Sequence, residues 1–351
     1  MIFVAAKPLE AYATALLDAG GFTGDEAKAT AKSLILSNLM GHDSHGIVRI
    51  RQYIEQRKAG MIVSGAALSI LNETPNALHA DAGLGLGQVQ MPRLLDALFE
   101  KAKTQAVVSG TIVNSAHVGR LGEWVEMAAQ RGFAAFMAVN DNGTFQMVAP
   151  HGGIEARTST NPMAFSIPLK DGDDFTIDLS TSATAMGKVR LAHMAGVPVP
   201  EGQLQDAHGN LTTDTDVLFS DPKGTILPFG GHKGFALSMM VDLLVSGLSG
   251  GLTPPAPEGT PETNNVLITL WNPAFFAGLS HMQDEAARYI AHIRSAKPKD
   301  VQNPVRIPGE RAKAVYQERL KNGIPLDDTF CQKLEKYAHQ LGVTSSPFPA
   351  R

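Results

Sequence analysis

The sequence predicts a mixed α/β chain. Helices from its two ends form one discontinuous unit (1–65 with 235–351), and a central unit (66–234) carries the sheet. Three observations predict this. Apolar residues recur at helical spacing near both termini, strands alternate with helices through the middle, and no dinucleotide-binding glycine fingerprint accompanies that alternation. Gly83-Leu84-Gly85-Leu86-Gly87-Gln88 comes nearest to one, but its third glycine falls one position early for G-x-G-x-x-G.

In chain order, Pro8 to Ala19 reads as a short amphipathic helix stopped by Gly20-Gly21. Thr23-Gly24-Asp25-Glu26 has capping-box spacing and opens a helix to about Met40. Ile47, Ile50, Tyr53 and Ile54 mark a third helix, to about Ala59. Residues 62–81 turn extended, with a strand at Ala77 to Asp81, and Met91 to Lys103 is helical, with Leu94, Leu95, Leu98 and Phe99 as its apolar stripe. A strand from Ala106 to Val113 delivers the polar loop Asn114 to Gly122. A helix to Arg131 follows, then a strand from Phe133 to Val139 ending in Asn140-Asp141-Asn142-Gly143. Met163, Phe165 and Ile167 alternate as a half-buried strand, and Phe175 to Ser182 is another. Val197 to Asp216 is loop by composition. Pro228 to Gly234 is a glycine-rich turn opening an apolar helix, Phe235 to Leu248; its backbone N–H groups beside Lys233 suit a phosphate. After a proline-rich link come a strand from Val266 to Trp271 and a helix opened by the capping-box spacing of Ser280 and Gln283. Two further helices run from Pro308-Gly309-Glu310 to Lys321 and from Asp328 to Leu341.

Composition narrows the functional classes. A 44% hydrophobic and 18% charged makeup is that of a soluble globular protein. A net charge of -4 provides no basic footprint for nucleic acid or an anionic membrane. The single Cys331 excludes an internal disulfide framework and a thiolate zinc site, and fits a reducing cytoplasm. The N-terminus lacks a signal-peptide pattern, and no apolar run reaches the length of a membrane span.

The densest chemistry lies in Gly41-His42-Asp43-Ser44-His45-Gly46-Ile47-Val48-Arg49. His45 and Arg49 fall one helical turn apart, and an imidazole beside a guanidinium suits a small carboxylate that also needs a proton moved. The plainer alternative has His42 or Asp43 capping a helix and Arg49 solvated. A metal-dependent hydrolase on His42, Asp43 and His45 is a further alternative, weakened by the lack of an evident third ligand beyond the two histidines and of H-E-x-x-H.

His-x-Ser-His-Gly with Arg four residues on, Asn-Ser-x-His-x-Gly, Thr-Asn-Pro, Asp-x-x-x-Ser-x-x-x-x-Gly-Lys and His-Lys-Gly together resemble the malate/L-lactate dehydrogenase family of the non-Rossmann type, in one order from about residue 8 to 342. Within it, the likeness runs toward the bacterial hydroxycarboxylate dehydrogenases. The resemblance implies a sulfolactate-dehydrogenase-like fold and NAD or NADP as cofactor. It also implies a homodimer with the active site near the subunit interface. The implied reaction interconverts a 2-hydroxy and a 2-oxo acid, or reduces a cyclic imino acid such as piperideine- or pyrroline-2-carboxylate. His117, His45 and Ser44 are then the catalytic candidates, and Arg49 and Tyr53 the substrate contacts. His45, Gly119, Arg120, Leu121, Thr176, Ile177, Asp178, Leu179, Ser180, His232, Lys233, Asn264, Pro308, Gly309 and Glu310 match segments that contact the dinucleotide.

In such a reaction a histidinium supplies the proton as hydride reaches the carbonyl carbon, and Arg49 grips the neighbouring carboxylate. His117 is the slightly preferred proton carrier, with His45 polarising the oxygen or meeting the nicotinamide. Asn140 to Gly143 offers no cation for a second acidic group, which favours a monocarboxylate or cyclic substrate. A non-catalytic NAD(P)- or carboxylate-binding sensor is the remaining alternative.

Overall fold

The computed structural model describes residues 1–349. In chain order the elements are β1 (Ile2–Val4), α1 (Ala6–Ala19), α2 (Gly24–Leu39), α3 (Ile50–Lys58), β2 (Ser69–Glu73), β3 (Ala77–Asp81), α4 (Gly87–Ala102), β4 (Val107–Ser115), α5 (Leu121–Gln130), β5 (Ala134–Asn140), β6 (Met163–Pro168) and β7 (Asp174–Leu179). They continue as α6 (Met186–Ala195), β8 (Leu204–Gln205), β9 (Leu211–Thr212), β10 (Thr225–Ile226), α7 (His232–Ser249), β11 (Asn264–Trp271), α8 (Leu279–Arg294), α9 (Glu310–Asn322), β12 (Ile324–Leu326) and α10 (Asp328–Gln340).

Seven strands form the main sheet in the order β2-β3-β4-β11-β5-β6-β7, and only β3 and β4 run parallel. That is a mixed sheet, largely antiparallel, with none of the repeated parallel crossovers of a doubly wound dinucleotide fold. The apolar stripe of α4 (Met91, Leu94, Leu95, Leu98) and Trp124 and Val125 of α5 pack on one face of it. Val241 and Val245 of α7 cover the other face at Ala138 and Leu267. A second core joins the chain ends: Leu9, Leu16, Leu34, Ile35, Ile50 and Tyr53 pack with Ile324, Leu334 and Tyr337, and β1 pairs with β12. A small lobe built on β10-β8-β9 and α6 has its own apolar cluster around Val148, Val189 and Leu204.

Several expectations are corrected. The segment 235–351, assigned to the helical unit, supplies β11, which lies hydrogen-bonded between β4 and β5 in the middle of the sheet. Periodicity alone does not reveal a partner so remote in sequence. Neither capping box closes. No side chain caps α2, and Glu26 instead accepts from Ser64 Oγ and, at 2.8 Å, from Gly65 N. α8 starts behind Gly278, and Gln283 donates to Leu169 O. The helix expected from Ile47 begins as two short 3₁₀ turns, Asp43–His45 and Ile47–Arg49, before α3. β7 stops at Leu179, and α6, absent from the sequence reading, follows it.

At the end of β5 the polar residues close on themselves. Asn265 is fully buried and donates from Nδ2 to Asn140 Oδ1 and Asn142 Oδ1, each at 3.0 Å. Asn140 Nδ2 reaches Ser246 Oγ, Asp242 Oδ1 and Leu252 O. Asn265→Leu removes both bonds, leaving Asn142 Oδ1 with Leu252 N at 2.8 Å and Asn140 Oδ1 with only Asn142 N at 3.4 Å, and is expected to cost about 1–3 kcal/mol in denaturant unfolding. A loss under 0.5 kcal/mol would show that the network is not what holds this end of the sheet.

Candidate active site

The 41–49 turn is shaped by Asn38, near the end of α2. Its Oδ1 accepts from Ile47 N at 2.8 Å and its Nδ2 donates to Asp43 Oδ1 at 2.7 Å. The side chain lies so close under the turn that a Cβ at Gly46 would stand 2.1 Å from Asn38 Oδ1, so only glycine fits there. From the far end of the chain, Arg319 on α9 grips both oxygens of Asp43, at 2.7 and 3.0 Å. Asp43, weighed above as a metal ligand, is thus occupied as an anchor for the turn.

This anchoring sets out Ser44, His45 and Arg49. Ser44 Oγ lies 3.0 Å from His45 Nδ1, and Arg49 Nε donates to Ser44 O at 2.7 Å. Arg49 Nη1 donates to Gln52, which leaves the Nη2 corner for an anion. His117 comes from the loop after β4 and stacks on His45, with ring centroids 5.4 Å apart and planes at 23°. Its Nδ1 is 2.6 Å from Tyr53 Oη on α3. Tyr53 was expected to touch substrate; it has no exposed surface and reaches the site only through His117. The physical reason is its place on α3, where Ile50 and Ile54 turn the same face into the core.

Gln88, which sequence reading passed over inside the failed glycine run, is also buried and donates from Nε2 to Tyr53 Oη at 3.1 Å. The run itself is explained by packing, because a Cβ on Gly87 would stand 2.4 Å from Val118 Cα, beside His117. Gly187, at the start of α6, was visible in the sequence only as part of a motif. Its missing Cβ lets it press on Ser44 Cβ, to which an added Cβ would come within 2.9 Å.

The segments matched to the dinucleotide converge on one end of β7. Asp178 Oδ2 accepts from Gly122 N at 2.7 Å, a Cβ on Gly309 would sit 3.0 Å from Thr176 O, and Phe229 N donates to Thr181 O in front of His232 and Lys233. Three of the expected contacts have side chains committed elsewhere. Arg120 is buried and forks onto Glu126 at 2.6 and 2.9 Å, because a buried guanidinium needs a carboxylate partner. Asp178 is tied to α5. Asn264 Oδ1 accepts from Val118 N at 3.0 Å and so holds the His117 loop. His232 and Lys233 stand exposed at the start of α7.

The electrostatics are lopsided. Burial, then the charge of Arg49, lowers His45 to about 3. Burial, then Arg49 and His45, holds His117 well below the usual imidazole range. His42 is lowered to about 4 by burial and by Arg120, Lys188 and Arg311. Burial raises Tyr53 to about 12. Two neutral imidazoles therefore share a half-buried, cation-rich site near neutral pH, ready for an anionic ligand.

Residues 4–335 match the family described as malate/L-lactate dehydrogenase. The chain is 35% identical over 350 residues to hydroxycarboxylate dehydrogenase B of Escherichia coli strain K12, covering 98% of this chain and 96% of that one. It is 32% identical over 342 residues to a (2R)-3-sulfolactate dehydrogenase (NADP(+)) of Chromohalobacter salexigens, covering 95% and 98%. The solved sulfolactate dehydrogenase of Methanocaldococcus jannaschii superposes with a TM-score of 0.86 at 29% identity, over 98% of each chain.

The histidine shifts predict acid sensitivity. An unfolded histidine takes a proton near pH 6.5 while His45 and His117 stay neutral when folded, so stability falls as pH drops from 7 to 5. Glu123 and Asp141, each raised to about 6 by burial, oppose this by gaining stability over the lower part of the same range. The readout is therefore the difference between variants: His45→Asn and His117→Asn should each remove about 2 kcal/mol of the pH 7-to-5 loss in urea unfolding. Slopes equal to that of the parent protein would contradict neutral, buried imidazoles.

Proposed function

We propose, for a chain that belongs to the malate/L-lactate dehydrogenase family, that it interconverts a small 2-hydroxy acid and the matching 2-oxo acid with NAD or NADP. The carrying observation is the stacked His45–His117 pair beside Arg49, whose Nη2 corner makes no bond to any described residue. Arg49 holds the substrate carboxylate and so fixes which face of the carbonyl is presented. When bound, NAD or NADP would supply or take up the hydride at the substrate carbon. His117 exchanges the proton with the substrate oxygen, and His45, oriented by Ser44, donates a hydrogen bond to that oxygen. Burial depresses His117 most and the charge of Arg49 next; a carboxylate on Arg49 would offset the second of these and move that imidazole part of the way back toward the range in which it can carry a proton. Loading the proton carrier is thereby coupled to substrate binding.

The surroundings fit a dinucleotide. Gly309 lets the 308–310 turn close against β7, and Gly230 and Gly231, both at positive φ, form the turn that sets Lys233 exposed at the start of α7. Buried Arg120 keeps Nε without a partner next to this groove. Gly119 to Leu121, Thr176 to Ser180, His232, Lys233 and Pro308 to Glu310 would hold the cofactor by backbone more than by side chain.

A homodimer is part of this reading. Met239, Met240, Leu243, Leu244 and Leu248 form an exposed apolar row along α7, with Leu243 63% exposed. Such a row covers well against a second copy. Among the described residues no helix is long and apolar enough to cross a membrane.

NADH and NADPH oxidation measured against a panel of 2-oxo acids and cyclic imino acids tests the activity. Oxidation dependent on a 2-oxo acid is expected, and its absence across the panel would favour a sensor. His117→Ala and Arg49→Ala should each lower kcat/KM at least 100-fold. Reduction should weaken as pH rises through the raised value of His117, and oxidation should strengthen. Leu243→Glu with Leu244→Glu should shift the mass seen by light scattering from two chains toward one; an unchanged dimer would place the interface elsewhere.

A further inference from the structure

We propose that Lys188 is a specificity-determining residue, whose ammonium near Ser44 and His45 selects the neutral carbonyl of a 2-oxo acid over the protonated ring nitrogen of a cyclic imino acid. This rests on the reading of the site as one that reduces a polar double bond next to a carboxylate held by Arg49. Lys188 lies in the first turn of α6, where its N donates to Ala185 O at 2.9 Å. α6 is pressed onto the catalytic turn at Gly187, where an added Cβ would come within 2.9 Å of Ser44 Cβ, and Ser44 Oγ is 3.0 Å from His45 Nδ1. Lys188 is exposed and makes no ion pair or hydrogen bond among the described residues. Its charge still reaches the site. Burial contributes most to keeping His42 and His45 neutral, and Lys188 adds repulsion at both.

Most of the other cations around the turn are answered by carboxylates. Arg120 forks onto Glu126, Arg319 holds Asp43, and the substrate carboxylate would occupy Arg49, on which half-buried Glu262 also bears. Arg311 strengthens the same field at His42. No carboxylate pairs with Lys188, so a reacting double bond near Ser44 and His45 meets its charge. The two substrate classes respond to that charge in opposite ways. As hydride reaches the carbonyl carbon of a 2-oxo acid, the C=O electron pair moves onto oxygen, which is negative until it takes its proton. A nearby cation stabilises that state. A cyclic imino acid reacts as its iminium, with the proton already on nitrogen, and hydride leaves a neutral amine. The same cation repels that substrate and has no developing anion to stabilise. One unit charge at the rim of a site shifts such a comparison by about ten-fold.

The test compares NADH and NADPH oxidation by the full-length protein with 2-oxobutyrate and with piperideine-2-carboxylate, in the parent, Lys188→Arg, Lys188→Met and Lys188→Glu. The parent and Lys188→Arg should share one ratio of kcat/KM, favouring 2-oxobutyrate. Lys188→Met should lower that ratio about ten-fold, and Lys188→Glu about 50-fold. A purely structural role would lower both activities together, so an unchanged ratio in Lys188→Glu overturns the proposal. A parent that favours the imino acid overturns it too. So does a Lys188→Glu protein that loses only oxaloacetate turnover, which would assign Lys188 to a second acidic group. Calorimetric titration with oxamate and with pipecolate, cofactor present, reads the charge preference without turnover. Oxamate, whose amide is neutral, should bind the parent more tightly than pipecolate, whose ring nitrogen is cationic, and Lys188→Glu should narrow or reverse that order. If no form of the protein oxidises NADH or NADPH with either substrate, the functional reading fails, and the titrations alone decide the role of Lys188.

Discussion

The hydrogen bond between Tyr53 Oη and His117 Nδ1 joins the two parts of the molecule at the point where chemistry is placed. Tyr53 belongs to the core made by the chain ends, and His117 to a loop of the sheet. On the helical side, Arg319 and Asn38 fix the turn that presents Ser44, His45 and Arg49. On the sheet side, Asn264 and the close approach of Gly87 fix the loop that presents His117. Neither part brings His117 beside His45 and Arg49 by itself. Their docking does, which is why so many of the buried polar contacts cross between segments far apart in the chain.

Charge gives the site its preference. Arg49, Arg120 and Lys188 all bear on the histidines; of the carboxylates nearby, Glu126 pairs with Arg120 and Asp178 with the start of α5, while Glu262 lies close enough to feel the charge of Arg49. Removing imidazoles from water among cations leaves them neutral. A carboxylate ligand is the natural complement of such a site. Polarity in the rest of the sheet end, at Asn140, Asn265 and Asp242, is turned inward and serves the fold.

Local patterns made most elements readable. The stripe of α4, the alternation of β6 and the two glycines before α2 report conformations set by neighbours in sequence. The failures share a cause. Thr23–Glu26 and Ser280–Gln283 have the spacing of caps, yet Glu26 is claimed by Ser64 and Gly65 and Gln283 by Leu169, contacts that a local motif does not contain. α6 was missed because its partners, Ser44 among them, are remote in sequence.

By itself the sequence determined the mixed α/β class, the absence of a dinucleotide glycine fingerprint, and the two histidine segments with Arg49. These depend on residue type and short-range spacing. Tertiary structure alone decided that β11 lies mid-sheet, that Tyr53 is buried behind His117, and that Gln88 reaches Tyr53 there. It also decided that Arg120 and Asp178 are spent on internal partners. A side chain's role follows from which donors, acceptors and charges surround it once solvent is excluded. Those neighbours come from segments tens to hundreds of residues away, so only the folded chain brings them into contact.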